Sequence, residues 1–372
     1  MEWSIVVLAS LAFILYVYLG YPVILRLLDV VLSRPVWKRP IQPQVSLLIA
    51  AHNEGRVIES KIRNSLDLDY PAERLEIVVA SDGSQDDTVE IARRYQESHG
   101  VRVLAYAQNA GKISCLNKSV PQVKGDIIIF SDASSLISRE ALREIVVNFA
   151  DPMVGAVSGV YKVLSPDKAD LGRSEEVYGK YETYIKTLES SISSVLGGHG
   201  TLLAIRKELY PYPSPETIND DYVIPMRILQ KGYRSVYEPK AVSWEEAREM
   251  SGFGRRIRIL TGNIQQLREM GTLLWPPQWL PLFFFLSHKA GRLIVPFAMA
   301  IAFVGNLFLL HEAAYRILFV MQLAFYILAL AGGTCKILPY ALRLPYYFCM
   351  VNAATFWGAY RALQGDGRVP WK

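Results

Sequence analysis

Carboxylates recur in this chain where short apolar runs end. Val45 to Ala50 (VSLLIA) is followed by Ala51-His52-Asn53-Glu54, and Leu75 to Ser81 (LEIVVAS) by Asp82-Gly83-Ser84 and then Asp86-Asp87-Thr88. Acidic groups at strand ends, with a glycine permitting a tight turn, suit ribose hydroxyls or a base edge, although a strand-to-helix turn with a helix cap gives the same pattern. Asp126 to Ser131 (DIIIFS) ends in Asp132-Ala133-Ser134, a carboxylate with a hydroxyl two residues on. A hard cation such as Mg²⁺ is held by one or two carboxylates plus substrate phosphates, so so sparse a set fits a phosphate-bearing ligand. Further on, Asn219-Asp220-Asp221 precedes a short helix running to Gly232. The pair reads as a helix cap favoured by the helix dipole, or as a source of one general base.

The elements that must position these groups alternate. Val101 to Tyr106 is a further Val-containing strand candidate, while Arg56 to Ser65 and Asp86 to Glu97 have helical spacing, with Asp86 as N-cap. Repeated strand-helix units predict an α/β domain with a mostly parallel sheet, whose ligands sit beyond the carboxyl ends of the strands. The polar motifs fall there.

Hydrophobic residues make up 51% of the 372, an excess concentrated in uncharged runs. Trp3 to Leu25, Leu293 to Leu310, Ile317 to Cys335 and Leu344 to Tyr360 each approach the roughly 20 apolar residues that span a bilayer, which predicts four spans. The first lacks a basic leader and a small-residue cleavage site, so it is expected to stay attached. Arg26, Arg34, Lys38 and Arg39 follow it and place its C-terminal side in the cytoplasm. Met270 to Ser287 carries Pro276, Pro277 and Pro281 with Trp275 and Trp279, a composition that favours an interfacial segment. The expected organisation is a transmembrane helix over 1–28, a cytoplasmic domain over 29–250, interfacial helices over 251–288 and a membrane region of about three helices over 289–372. Charge counting leaves the side of the C-terminal tail open. A net charge of +5 is too small and dispersed for nucleic acid, and acidic lipid headgroups are the better partner. Cys115, Cys335 and Cys349 are odd in number and lack metal-ligand spacing, which suits a reducing compartment.

Taken in order, AAHNE, SDGSQDDT, GKISCLN, SDAS, GGHGTLLAIR, NDDY and RRIRILTG give a chain that resembles the membrane-embedded family-2 glycosyltransferases over roughly Val45 to Leu267. That group includes the cellulose, hyaluronan and poly-N-acetylglucosamine synthases and their non-processive relatives. The resemblance implies a GT-A fold, an inverting displacement, and Mg²⁺ or Mn²⁺ as cofactor. It puts Ala51, Asn53, Glu54 and Asp82 on the donor side, with Asp82 at the uridine, Lys112 at the nucleotide or its phosphates, and Asp132 on the metal beside Ser134. Asp221 aligns with the Asp of the family's TED motif and would be the general base. Gly198, His199, Gly200 and Asp220 would line the acceptor site. Arg255 and Arg258 stand at the first and fourth positions of the QxxRW motif and would contact donor phosphates; headgroup anchoring is the bland alternative for this basic cluster.

The chain departs from the family pattern in two places: DAS replaces DxD, and Arg255 to Ile259 lacks the Gln and Trp of QxxRW. The implied partners are a nucleotide-sugar donor, presumed UDP-linked by the resemblance, a lipid-linked or glycan acceptor, and membrane lipids. The implied site of action is the cytoplasmic face of a plasma (inner) membrane. Loss of the Trp favours transfer of one sugar over processive extension and export of a polysaccharide; a silent nucleotide-sugar receptor is disfavoured by Asp82, Asp132 and Asp221.

Overall fold

The computed structural model describes residues 2–164, 170–246, 262, 267, 278–334 and 339–363. Eight strands form one sheet: β1 (Val45–Ala51), β2 (Leu75–Asp82), β3 (Arg102–Tyr106), β4 (Ile127–Asp132), β5 (Ser135–Ile137), β6 (Val154–Leu164), β7 (Leu203–Arg206) and β8 (Arg234–Glu246). Their order is β3-β2-β1-β4-β7-β6-β8-β5. The first four are mutually parallel, as the strand-helix alternation predicts. The second half is mixed: β7 runs antiparallel to β4 and β6, β8 parallel to β6, and β5 antiparallel to β8.

Every residue of β1 is buried, because helices cover both faces of the sheet. Val45, Leu47, Ile49 and Ala51 join one core cluster with Ile58, Ile62 and Ile129; Leu48 and Ala50 join another with Leu116, Ile128 and Phe130. The two-residue period of the strand thus feeds two layers from one apolar run. The chain order reverses between β1 and β4, and in an open sheet that crevice collects ligands. Asp132 pairs in register with Ala50, while Ser81, just before Asp82, pairs with Ala51. Both acids therefore end strands that flank β1.

Three helices are long and apolar enough to cross a membrane: Glu2–Leu32, Trp279–Leu307 and Ala313–Thr334. This corrects two expectations. Tyr340–Leu363, which contains the fourth predicted span, is helical but carries Arg343, Asn352 and Thr355 and is not among the three. Trp279 to Ser287, expected in an interfacial segment, instead opens the helix that continues to Leu307, so the expected boundary at 288 cuts one continuous element. Pro281 is compatible with this because it stands in the first turn, where a backbone N–H has no helical partner. The first part of that segment, 270–277, lies outside the described residues.

Helix Asp170–Ile192 joins the sheet to the spans. The Tyr181 hydroxyl donates to the Tyr18 carbonyl at 2.8 Å, and the Ser191 hydroxyl to Asp29 at 2.5 Å. On the face toward Trp279–Leu307, His288 bonds Glu189 at 2.7 Å, Tyr21 donates to the same carboxylate at 2.6 Å, and Arg292 pairs with Glu182.

Candidate active site

The site begins with the loops after β1 and β2. Asn53 adopts φ 56°, a left-handed conformation that Asn tolerates better than most residues, and its Oδ1 accepts the Gln85 amide at 2.8 Å. Its own amide donates to the Ser84 hydroxyl at 3.1 Å, and the Glu54 amide to Thr88 at 2.8 Å. Asn53 and Glu54 thus stand at the rim of the crevice, whereas buried Ala51 can offer a ligand only its backbone. Asp86 caps the following helix by accepting the Thr88 amide at 3.1 Å, one residue before the N-cap Asp87.

Asp82 lies deep at the end of β2. It is 1% exposed, and its carboxylate accepts the backbone amides of Ala110 (3.0 Å) and Gly111 (2.7 Å). This fastens the loop that leads into helix Lys112–Ser119. Gly83 lets that loop approach: φ is +65°, and a Cβ there would lie 2.4 Å from the Asn109 nitrogen. His52 completes the joint, its Nδ1 donating to the Asp82 carbonyl at 2.7 Å and its Nε2 accepting from Asn109 at 2.9 Å.

Lys112, at the first position of its helix, reaches Asp132 at 2.8 Å and Asp220 at 3.1 Å. Burial disfavours the ammonium, but the two carboxylates outweigh it and hold the lysine above its usual range. Across from them is Gly200. A Cβ built there would meet Lys112 Nζ at 3.4 Å, Asp132 Oδ2 at 3.6 Å and Asp221 Cβ at 3.9 Å. Residues from four separate stretches of chain therefore converge on one small open position.

Asp220 and Asp221 occupy the first turn of helix Asp220–Gln230, with Asn219 as N-cap. Buried Asp220 turns to Lys112, leaving Asp221 as the candidate base. Burial, and then the Asp220 charge, push the Asp221 carboxyl up to about 6, against the pull of Lys112, Lys289 and Lys186. A base in that range is ionised at neutral pH yet basic enough to take a proton. Gly198 donates its amide to the Asp221 carbonyl at 2.6 Å, and His199 donates its amide to Ser158 at 3.0 Å. The His199 ring stacks on Tyr161, and burial holds it well below its usual value, so it stands neutral beside Lys186 at 3.1 Å. Gly198 and Gly200 thus border Asp221.

Asp132 suits a hard cation whose remaining ligands come from a diphosphate, since its side chain is 31% exposed and aimed at the same opening. Ser134 donates its hydroxyl to Glu245 at 2.8 Å, and the other Glu245 oxygen accepts from Tyr161 at 3.1 Å. Among the described residues no group of three or more His, Cys, Asp or Glu side chains is placed to hold a metal ion. Arg255 and Arg258 lie outside the described residues.

One buried cation escaped the sequence reading. Lys61 is fully buried beneath Asp132, donating to the Ser131 hydroxyl at 2.6 Å and the Ser135 carbonyl at 2.7 Å. Burial pushes it down to about 7 while Asp132 pulls it up. The signal was present, for Lys61 stands in the inward stripe of Ile58, Ile62 and Ser65.

The family model for glycosyltransferase like family 2 matches residues 43–267, more than half of the chain and the whole of this site. The chain belongs to that family. It is 27% identical over 230 residues to a poly-beta-1,6-N-acetyl-D-glucosamine synthase of Staphylococcus aureus, covering 60% of this chain and 55% of that protein. It is 29% identical over 236 residues to the probable glycosyltransferase YdaM of Bacillus subtilis, covering 58% and 54%. The chain spans about half the length of these curated relatives. Among solved structures, the mannosyltransferase PcManGT of Pyrobaculum calidifontis, determined with GDP-Man and Mn²⁺, superposes with a TM-score of 0.73 at 23% identity, over 96% of this chain and 99% of that one. At that identity the likeness speaks to the GT-A fold, with its attached helices, which this family member shares.

Proposed function

We propose that the protein is an inverting transferase that moves one sugar from a nucleotide donor, UDP-linked by the family resemblance, to a lipid-linked or glycan acceptor. The convergence of Lys112, Asp132 and Asp221 on Gly200 carries this reading. In a single displacement the acceptor oxygen bonds to the anomeric carbon and its proton passes to Asp221. The bond from that carbon to the diphosphate oxygen breaks, and the nucleoside diphosphate leaves with the electron pair. Lys112 faces the developing negative charge, while Asp220 holds Lys112 in place. Mg²⁺ or Mn²⁺ held by Asp132 and the donor phosphates would supply further charge neutralisation. The same reading puts the catalytic domain on the cytoplasmic side of a plasma (inner) membrane, supported by three apolar helices and the basic residues after the first.

Proton NMR of the product tests the stereochemistry. An α-linked donor should yield a β-linked sugar, and an α product would exclude a single displacement. One observation favours a second reading, processive synthesis: the Staphylococcus aureus relative is named a polymer synthase. Against it, Ile259 replaces the Trp that borders the acceptor in processive enzymes. Size analysis after long incubation separates the two, because a high-molecular-weight ladder made by the purified protein would select the polymer synthase.

A further inference from the structure

Backbone pairing between β4 and β7 stops short of the opening. Its last pair is Phe130 opposite Leu203, so Asp132 and Gly200, which face each other across the opening, both lie past the ladder. On its other edge β4 stays paired to β1 as far as Asp132. The side toward Gly200 is held instead by buried side chains. Lys61, Ser131, Ser135 and Thr201 are all 5% exposed or less.

Lys61 is the centre of this set. From helix Ile58–Leu66 its Nζ donates to the Ser131 hydroxyl at 2.6 Å and to the Ser135 carbonyl at 2.7 Å, one residue before Asp132 and three after it. The Ser131 hydroxyl gives its one hydrogen to the Thr201 carbonyl at 2.8 Å, which leaves its lone pairs for Lys61. The Ser135 hydroxyl donates to the Asp132 carbonyl at 2.9 Å. One directed chain therefore runs from Lys61 through Ser131 to Thr201, next to Gly200, and a second closes the turn after Asp132. The two short bonds need two N–H groups, which a lysine side chain has with or without its third proton, so the arrangement does not depend on its charge. Plain fastening of β5 to this helix is already done by Asn64, whose Nδ2 donates to the Ile137 carbonyl at 2.9 Å and whose Oδ1 accepts the Ile137 amide at 2.8 Å. Lys61 reaches instead to the residues that flank Asp132.

We propose that Lys61 is a positioning residue for the cation site, holding the turn that presents Asp132 and, through Ser131 and Thr201, setting the distance between Asp132 and Gly200. This deepens the transferase reading and rests on it for the cation, but not for the hold on the turn. A positioning role and a bare charge effect have opposite signs. Removing a positive charge from beneath Asp132 strengthens cation binding by Coulomb's law, whereas releasing the turn weakens it.

The test compares the full-length parent with Lys61→Met, which keeps the length of the side chain and removes its donors, and with Ser131→Ala, both in neutral detergent. Mn²⁺ binding is followed by electron paramagnetic resonance in the presence of UDP and, separately, GDP, and amide hydrogen exchange is read by mass spectrometry. Lys61→Met should weaken Mn²⁺ binding about tenfold or more, the usual size of effect for a group that orients a metal ligand. Exchange should quicken by about tenfold or more in peptides covering Ser131 to Ser135 and Gly200 to Leu202, and stay unchanged in those of β2. Ser131→Ala should shift both readouts the same way by a smaller factor, and it carries the test if Lys61→Met does not fold. Mn²⁺ binding that is unchanged or tighter in the folded variants, whatever happens to their stability, would overturn the positioning role, as would unchanged exchange in the two segments. Equal Mn²⁺ binding by the parent and by Asp132→Ala would sink the cation at Asp132, while quickened exchange in Lys61→Met would still uphold the hold on the turn.

Discussion

Replacing Asp221 by asparagine separates its chemistry from its cost to the fold. The carboxyl rises from 3.8 to about 6, chiefly through burial and then through Asp220. At 1.36 kcal/mol for each pKa unit, a rise of about 2 corresponds to about 3 kcal/mol. Because the folded value lies above the unfolded one, the native state binds more protons between about pH 4 and pH 6. Stability falls as pH rises through that window and stays reduced above it. Asparagine is neutral throughout. Asp221→Asn should therefore match the parent near pH 4 and exceed it by up to about 3 kcal/mol near pH 8, measured by denaturant unfolding of both proteins in the same detergent. Activity should move the other way: kcat should fall about 10² to 10⁴ fold, the usual contribution of a general base, with donor affinity nearly unchanged. A kcat within tenfold of the parent would refute the base assignment. Equal stability gains at both pH values would refute the electrostatic reasoning.

Four further outcomes follow from the same geometry. In the parent, kcat/KM should rise with pH through a limb near 6 as Asp221 ionises, and a flat profile from pH 5 to 8 would contradict this. Asp132→Ala should weaken nucleoside diphosphate binding in Mg²⁺ or Mn²⁺, and excess chelator should abolish parental turnover; full activity in chelator would remove the cation from the scheme. Lys112→Gln leaves Asp132 and Asp220 without their shared cation and should weaken donor binding by about tenfold or more, read by calorimetry. Gly83→Ala should cost about 2 kcal/mol or more in unfolding stability, since its φ is +65° and the new methyl would meet the Asn109 backbone.

The parallel half of the sheet was legible because β1, β2 and β4 are short, mostly apolar runs with an acid at or soon after the end, a pattern fixed by burial on both faces. The mixed half was not, because β7 has only four residues and β8 meets β6 through two register shifts, which no local pattern announces. The place of Asp220 and Asp221 at a helix start could be read from their neighbours, whereas the amides that Asp82 accepts, at Ala110 and Gly111, lie 28 and 29 residues away. The hydrogen-bond partner of Ser134, Glu245, lies 111 residues on, beyond the reach of any local pattern. Glu182, Lys186 and Glu189 repeat at helical spacing, so a charged inward stripe was visible in principle. Its meeting with His288 and Lys289 required the fold. The helix Trp279–Leu307 starts earlier than the proline content suggests, because Pro281 stands in its first turn, where it breaks no helical hydrogen bond.

Nucleotide release is the most direct test of the transferase reading. The purified full-length protein, in Mg²⁺ or Mn²⁺ with lipid extract as acceptor source, would be incubated with separate nucleotide sugars and the freed nucleoside diphosphate measured. At least one donor should be consumed, with release dependent on the extract and reduced at least a hundredfold in Asp221→Asn. Absence of turnover with every donor, or equal turnover by the Asp221→Asn protein, would contradict sugar transfer at this site.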